Sequence, residues 1–555
     1  MSTTRTRLRT TAASLAVAAL IAGCGVQETT GSTAAGSTVS TSTSDSEGST
    51  EETSGTAGES AAASEDGEAA DDDTEDAIGS VGLTTHADGD EADYDAASAV
   101  SVELADDGGS SAGSGVEVSS TEEGTDLVTI TEAGTYVLSG TLTDGQVVVD
   151  VPEEDDVTVV LDGVEITSSL GSALQISSAE DATVVLADGS DNALTDPETY
   201  AQTEASVDEE TGEEVDAPNA ALYSTADLTI AGTGALTVES YGSDGITSKD
   251  GLVILSGDIT VNAVDDGIRG KDFLSIQGGT LTVTANGDAL KSDNTEDGTG
   301  IIAVSGDSTE ITVAAGDDAV KAENVIDLVD GTLTVTQSLE GLESARIVVE
   351  GGTTDVTASD DALNATSDTV TPSVEISGGE LTLTSDGDGL DSNGTATMTG
   401  GTVVVNGPTM DNNGAVDVDG DFLLSGGTLT AVGSAGMMMA PSTDSEQASI
   451  ATALSGSVAA GETLTVTDAD GAVVAEVEVT KDTASLVLST ADLVAGETYT
   501  VSAGGTEVAT ATAGEYAQMG MGGMGGAPGP DSPSGPTVSG TSPTEIRLQD
   551  DAPVW

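Results

Sequence analysis

Acidic side chains recur at nearly even spacing through the middle of the chain. Seven of them open a short phrase of acid, small residue and aliphatic residue, at Asp244, Asp266, Asp288, Asp318, Glu340, Asp361 and Asp388. The intervals between successive phrases are 22, 22, 30, 22, 21 and 27 residues. Because carboxylate oxygens are the hard ligands that Ca²⁺ prefers, this array predicts cation binding if the fold brings the phrases together.

Further acids adjoin several phrases and add oxygen ligands there. We therefore predict that Ca²⁺ ligands come from the following acids: Asp244, Asp265, Asp266, Asp288, Asp317, Asp318, Asp360, Asp361, Asp386, Asp388 and Asp391. An alternative stays open for each single acid, because Asp side chains also cap turns by accepting hydrogen bonds from backbone N–H groups. Cys24 and His86 lie outside the repeats, and we assign His86 to a linker. Zinc, thiol and Ser-His-Asp chemistry are therefore not expected.

Three bases occupy one position of the repeat, three residues after the phrase acid. They are Arg269, Lys291 and Lys321. In the phrases that follow, this position holds Glu343, Asn364 and Asp391. Together with Lys271, the bases are candidates for binding the carboxylates of an anionic ligand. The alternative is that they only neutralise the neighbouring acids.

The segments between the phrases must position these side chains. They alternate threonine with an aliphatic residue after a glycine, as in GGTLTVTA at 278–285 and GGELTLTS at 378–385. This period of two predicts β-strands, and a repeat of about 22 residues without room for helices predicts a solenoid. We therefore predict an all-β parallel β-helix whose equivalent positions stack about 4.8 Å apart. The aliphatic residues of the phrases should then form a buried stack, and the acids should repel one another unless positive charge offsets them.

The formal charge of −88, from 99 acids and 11 bases, disfavours nucleic acid as a partner. Arg5, Arg7 and Arg9 precede an apolar run that ends in Ile-Ala-Gly-Cys, which resembles a bacterial lipobox. This predicts cleavage before Cys24, lipidation of Cys24 and anchoring at the extracellular face of the cell membrane, with no transmembrane segment. An ordinary secretory signal is the alternative.

Changes of composition divide the chain into five predicted parts. They are a lipoprotein signal peptide (1–23), a disordered acidic linker (24–98), the β-helix (99–445), a small antiparallel β-domain or cap (446–515) and a disordered tail rich in Gly, Met and Pro (516–555). We expect a monomer.

Several stretches resemble a known family. The run VDDGIRGKDFLSIQGGTLTVTANGDALKSDN at 264–294, TEAGTYVLSGTLTDGQVVVD at 131–150, PNAA at 218–221 and GETYTV at 496–501 are similar to a bacterial carbohydrate-binding family typified by a clostridial cell-surface protein. The resemblance implies a right-handed parallel β-helix that binds Ca²⁺ and acidic polysaccharides such as polygalacturonate. It also implies cellulose binding and a fold similar to that of pectate lyases.

These observations favour a non-catalytic protein that binds acidic polysaccharide through Ca²⁺ and the bases. One alternative is a Ca²⁺-dependent polysaccharide lyase, in which Lys271 or Lys291 would act as the base. A second alternative is a structural stalk or adhesin, whose acids only keep the surface solvated.

Overall fold

The protein is an all-β solenoid. The computed structural model describes residues 77–87, 91–106, 109–111, 113–121, 124–201, 206–207, 214–215 and 217–515. The signal peptide, most of the linker and the C-terminal tail predicted above lie outside these residues. Within them every element is a β-strand, and none of them forms a helix that could cross a membrane.

Sheet 1 is the sheet whose strands follow the acidic phrases. Twelve of its strands pair in parallel, one for each coil, and an antiparallel strand, Val116–Ser120, covers its first edge. The parallel strands are Asp126–Ile130, Gly145–Asp150, Leu174–Ser178, Ala220–Ser224, Asp244–Ser248, Ile268–Gly270, Leu290–Ser292, Val320–Ala322, Leu342–Ser344, Leu363–Ala365, Leu390–Ser392 and Val416–Val418.

Two further stacks of parallel strands, which we call sheet 2 and sheet 3, complete each coil. The strands Gly134–Leu142 and Val157–Thr167 are long enough to run through both sheets. Sheet 2 continues through Asp181–Leu186, Asp227–Gly232, Gly251–Ile254, Phe273–Ile276, Ile301–Val304, Val325–Leu328, Arg346–Val349, Ser373–Ile376, Thr395–Met398 and Phe422–Leu424. Sheet 3 continues through Asp191–Thr195, Ala235–Ser240, Asp258–Ala263, Thr280–Ala285, Glu310–Ala314, Thr332–Gln337, Thr353–Ala358, Glu380–Ser385, Thr402–Asn406 and Thr428–Gly433.

The predicted parallel β-helix and its aliphatic stack are confirmed. In sheet 1, Ile246 pairs with Ile268, and Ile268 pairs with Leu290. The row continues through Val320, Leu342, Leu363 and Leu390. All seven side chains are fully buried. Burying apolar side chains on every rung supplies the main driving force for stacking the coils.

Antiparallel strands cover both ends of the solenoid, where unpaired strand edges would otherwise be exposed. At the N-terminal end, Val100–Leu104 pairs in parallel with Gly134–Leu142 and antiparallel with Ser110–Ser111. At the C-terminal end, Thr483–Ser489 pairs antiparallel with both Thr428–Gly433 and Ser449–Val458. A separate four-stranded antiparallel sheet follows, made of Thr463–Thr467, Val473–Glu478, Thr498–Ala503 and Thr506–Thr512. This sheet confirms the small C-terminal antiparallel β-domain predicted from the sequence. The insertion before residue 218 forms its own short antiparallel pair, Ser206–Val207 with Glu214–Val215.

The predicted linker is wrong at its C-terminal end. Residues 77–87, which we call the strap, lie on the outer face of sheet 2 instead of forming part of a disordered tether. Leu83 packs with Ile301 and Ala303 in a small apolar cluster that also includes Phe273 and Val325. Composition alone concealed this contact, because the strap is short and follows a strongly acidic segment.

His86 is therefore part of the fold, which corrects its assignment to the linker. Its Nδ1 lies 3.3 Å from Asp227 Oδ1, and both side chains are less than a tenth exposed. Its Nε2 lies 3.0 Å from Thr229 Oγ1, and its ring lies against Phe273. The contacts give this histidine a structural role.

The strap follows a row of outward-facing residues in register along sheet 2: Thr229, Val253, Ser275, Ala303, Asp327 and Val348. Every member of this row is buried, whereas the next member, Glu375, has a side chain that is 40% exposed. Gly79 has a φ of 61°, and a side chain there would collide with the carboxylate of Asp327. Glycine thus lets the strap lie directly on the sheet.

We predict that Leu83→Ala loosens the strap while the coils stay folded. The substitution removes apolar contacts worth about 2 kcal/mol or more, so the amides of Ile78 and Leu83, which bond to each other's carbonyls, should exchange at least about tenfold faster. Hydrogen exchange with mass spectrometry measures this. Thr84→Ala is the matched control, because Thr84 is exposed. Equal exchange rates in the two variants would show that Leu83 does not hold the strap.

Candidate metal and ligand site

The phrase acids line the corner where the chain passes from sheet 3 into sheet 1. Several of them cap the next coil through one carboxylate oxygen. The backbone N–H of Asp288 donates to Asp266 Oδ1 at 3.0 Å, and that of Asp318 donates to Asp288 Oδ1 at 3.1 Å. Farther along, Asp361 accepts from the N–H of Asp388 in the same way. Turn capping uses one oxygen of each of these acids; the second oxygen of Asp266 and of Asp288 contacts Lys291 and has a further lone pair that a cation could use.

Three groups of carboxylates come close enough to hold a metal ion. In each group one oxygen per residue lies within 4.8 Å of the others. The groups are Asp244 with Asp265 and Asp266, Asp288 with Asp317 and Asp318, and Asp318 with Glu340 and Glu343. In the first two, two members are buried and one is exposed, so the exposed acid is the member most open to solvent.

Sequence reasoning missed Glu340 and Glu343 as possible ligands. Glu340 is the phrase acid, and Glu343 follows it three residues later within the strand Leu342–Ser344, at the position that the bases hold in the preceding phrases. That spacing was the available signal. In contrast, Asp360, Asp361, Asp386, Asp388 and Asp391 form no such group among the described residues. Asp386 instead pairs at 2.8 Å with Lys481.

Burial and mutual repulsion make these acids hard to ionise. Burial, with Asp266 nearby, raises the pKa of Asp244 to about 6. Burial also raises the pKa of Asp318 to about 7, because the opposing effect of Lys321 does not outweigh it. Farther along sheet 1, where the row in register with Lys321 holds no base, burial and the charges of Asp361 and Asp388 raise the pKa of Asp391 to about 7.

The three bases predicted at one position of the repeat, which we call the basic ladder, are in register. Arg269 pairs with Lys291, and Lys291 with Lys321, on adjacent strands of sheet 1. The same row then continues through Glu343, Asn364 and Asp391.

The bases of the ladder already form ion pairs with acids of the same chain. Lys291 Nζ lies 2.8 Å from both Asp266 Oδ2 and Asp288 Oδ2. Lys321 pairs with Asp318 and Glu343, and Arg269 makes a bidentate contact with Asp293. Among the described residues Lys271 forms no ion pair. The geometry therefore favours charge neutralisation as the role of Arg269, Lys291 and Lys321.

Two asparagines add oxygen atoms beside the acids. Asn219 donates from Nδ2 to Asp244 Oδ2 at 2.6 Å, and its Oδ1 is buried without a hydrogen-bond partner. Asn364 donates in the same way to Glu340 at 2.7 Å, and its Oδ1 is also buried and unpartnered. A buried carbonyl oxygen without a partner is costly, and a cation would satisfy it.

Comparisons with known proteins relate the chain to one family. The model of a family described as carbohydrate-binding domain-containing protein matches residues 124–372 and 340–514. A carbohydrate-binding domain-containing protein of Acetivibrio thermocellus is 43% identical over 227 residues, which cover 37% of this chain and 77% of the relative. A solved structure, the gadolinium derivative of a polysaccharide lyase-like protein from C. thermocellum, aligns with a TM-score of 0.39 and 32% identity over 48% of this chain and 95% of that one.

We predict that without divalent cations the protein loses stability as the pH rises from 5 to 8. Carboxyls whose folded pKa is raised, such as Asp244, Asp318 and Asp391, bind protons that the unfolded chain has already released in this range. The free energy of unfolding should therefore fall with pH, by about 2 kcal/mol or more. Chemical denaturation in EDTA at several pH values measures the slope.

Added CaCl₂ should flatten or reverse this slope, because a bound cation favours the ionised carboxylates. MgCl₂ at the same concentration is the control for ionic strength and charge. A free energy of unfolding that rises between pH 5 and 8 in EDTA would contradict the conclusion that burial and mutual repulsion raise the pKa values of these carboxyls.

Proposed function

The chain belongs to the carbohydrate-binding domain-containing family, and from this premise we propose that it is a non-catalytic, monomeric surface protein that binds acidic polysaccharide of the polygalacturonate type through Ca²⁺. The observation that carries the proposal is the pair of carboxylate groups that each expose a single member, Asp265 or Asp317. These exposed acids lie where a bound cation would meet a ligand from solvent.

The residues of both groups fit Ca²⁺. Their donors are oxygens only, without histidine or cysteine, and this is the ligand set of a hard cation. Ca²⁺ takes six to eight oxygens, so three carboxylates leave room for water and for a carboxylate of the ligand. Asp244, Asp265 and Asp266 would hold one ion, beside Asn219, whose amide donates to Asp244. Asp288, Asp317 and Asp318 would hold another.

The negative net charge of the chain supports a cation that bridges the protein and ligand carboxylates. The chain carries 99 acids against 11 bases, so a polyuronate would be repelled from most of its surface. A divalent cation between the protein and ligand carboxylates converts that repulsion into attraction. Of the four predicted ligand-binding bases, we propose Lys271 for direct contact with the ligand, because Arg269, Lys291 and Lys321 are engaged within the chain.

The environment of Lys291 opposes its alternative role as the catalytic base of a lyase. A lyase base must be neutral before it accepts a proton. Burial opposes the charge of Lys291, but its hydrogen bonds with Asp266 and Asp288 outweigh that effect and raise its pKa above the ordinary value. The lysine therefore stays an ammonium ion and is unsuited to abstract a proton.

We expect the protein to bind polygalacturonate in CaCl₂ and to lose this binding in EDTA. Asp265→Asn and Asp317→Asn should each weaken Ca²⁺ binding by about tenfold, because each removes one charged ligand. Calorimetry measures Ca²⁺ binding, and affinity electrophoresis in polygalacturonate gels measures binding of the polysaccharide.

Asp258→Asn is the matched control, since it removes one exposed carboxylate from sheet 3, away from the groups. Polygalacturonate binding that persists unchanged in EDTA would overturn the cation bridge. Release of unsaturated, ultraviolet-absorbing products from the polysaccharide would overturn the non-catalytic assignment.

We also propose that the protein is anchored at the extracellular face of the cell membrane through lipidated Cys24, as the Ile-Ala-Gly-Cys sequence indicates. Cys24→Ser should then move the protein from the membrane fraction to the medium or retain its signal peptide. Mass spectrometry of the N-terminal peptide, with Ser2→Ala as control, tests this. An unlipidated Cys24 in membrane-associated wild-type protein would contradict it.

A further inference from the structure

We propose that Tyr241 and Val264 form an apolar platform on which a pyranose ring of the ligand rests while its carboxylate meets the cation at the first carboxylate group. This inference rests on the function proposed above. It identifies the residues that distinguish a uronate sugar from a carboxylate without a ring.

Both side chains are unusually exposed for apolar residues of this fold. Tyr241 is 51% exposed and Val264 is 41% exposed. The other tyrosines of the described residues are buried or half-buried, and aromatic residues make up only 2% of the chain. A single exposed apolar residue needs no explanation. Two exposed apolar residues on adjacent coils, beside the first carboxylate group, do need an explanation.

The strand register places this pair beside the first carboxylate group. Ser240 pairs with Ala263 at the end of two sheet 3 strands, so Tyr241 and Val264 follow at the same corner on neighbouring coils. Asp265 comes directly after Val264 in the chain, and it is the exposed member of its group. A ligand that reaches the group must approach from the Asp265 side, where it meets the platform.

The turn that carries Tyr241 is held rigidly by a buried carboxylate. Asp196 Oδ1 accepts hydrogen bonds from the N–H groups of Tyr241 at 2.6 Å and Gly242 at 3.3 Å. Asp196 Oδ2 accepts from the hydroxyls of Tyr200 and Ser240, both at 2.6 Å. Asp196 is only 2% exposed. Such a fixed turn presents the tyrosine in one place, which lowers the entropy lost on binding.

The second carboxylate group lacks this apolar surface. Two residues before its phrase acids, where the first group has Val264, stand Asn286 and Gly316. Of these two groups, only the first therefore combines a charged site with an exposed apolar pair. A pyranose ring has an apolar face of C–H bonds and a uronate adds a carboxylate, so this combination matches a uronate residue better than a free acid.

The test compares Tyr241→Ala, Tyr241→Phe and Val264→Ala in the full chain, with Asn286→Ala as the equivalent substitution at the second group. Calorimetry with Ca²⁺ alone should give wild-type affinity for all four variants. In CaCl₂, Tyr241→Ala should bind oligogalacturonate about three- to tenfold more weakly, in line with the usual worth of an aromatic contact. Tyr241→Phe should keep the affinity, Val264→Ala should lose part of it and Asn286→Ala should not change it.

Polyacrylate, which carries carboxylates without rings, separates stacking from charge. Tyr241→Ala should bind polyacrylate as the wild type does. Oligogalacturonate affinity that is equal in Tyr241→Ala and the wild type would overturn the platform and leave the cation bridge standing. Wild-type protein that binds Ca²⁺ but no oligogalacturonate would overturn both proposals. An equal loss of polyacrylate binding in Tyr241→Ala would assign the tyrosine to the cation group and overturn the platform.

Discussion

Repulsion between carboxylates stacked on successive coils is the constraint around which sheet 1 is built. Two such charges about 4.8 Å apart cost roughly 3–4 kcal/mol at an effective dielectric constant of about 20. The chain relieves this in three ways. Backbone N–H groups of the next coil bind one oxygen, as at Asp266. Lysine ammonium groups lie between acids, as Lys291 does. Where neither suffices, as at Asp318, the pKa rises, and a proton or a cation must complete the compensation.

Periodicity predicted the parts of this arrangement that repeat. The phrase spacing located the coils, the buried stack headed by Ile246 and the register of Arg269 with Lys291. It could not predict the pairing of Asp386 with Lys481, because these residues are 95 positions apart and only the C-terminal cap brings them together. Nor could it decide whether a base faces a ligand or a neighbouring acid. That depends on side-chain reach within one rung, which a repeat leaves open.

The strap shows where an argument from composition fails. Residues 77–87 follow an acidic, low-complexity segment, yet they dock on sheet 2 because the sheet offers them an apolar row. The signal lay in the sheet, where Phe273, Ile301 and Val325 occupy outward-facing positions. Apolar residues at positions that should meet solvent imply a cover. The sequence of the strap alone does not identify it as that cover, since its few apolar residues gain stability only against their partner.

The uneven distribution of bases suggests that a cation acts differently at the two ends of sheet 1. Near Arg269, Lys291 and Lys321 the buried acids are already partly neutralised, so a cation added there would leave positive charge available to an anionic ligand. Toward Asp391 and Asp417 the row holds no base, and burial with neighbouring acids raises the pKa of Asp391. A cation there would mainly neutralise the stacked carboxylates themselves. The apolar platform that we propose at Tyr241 and Val264 lies at the end where bases already offset the acids, and this is why we propose that the polysaccharide binds on those coils.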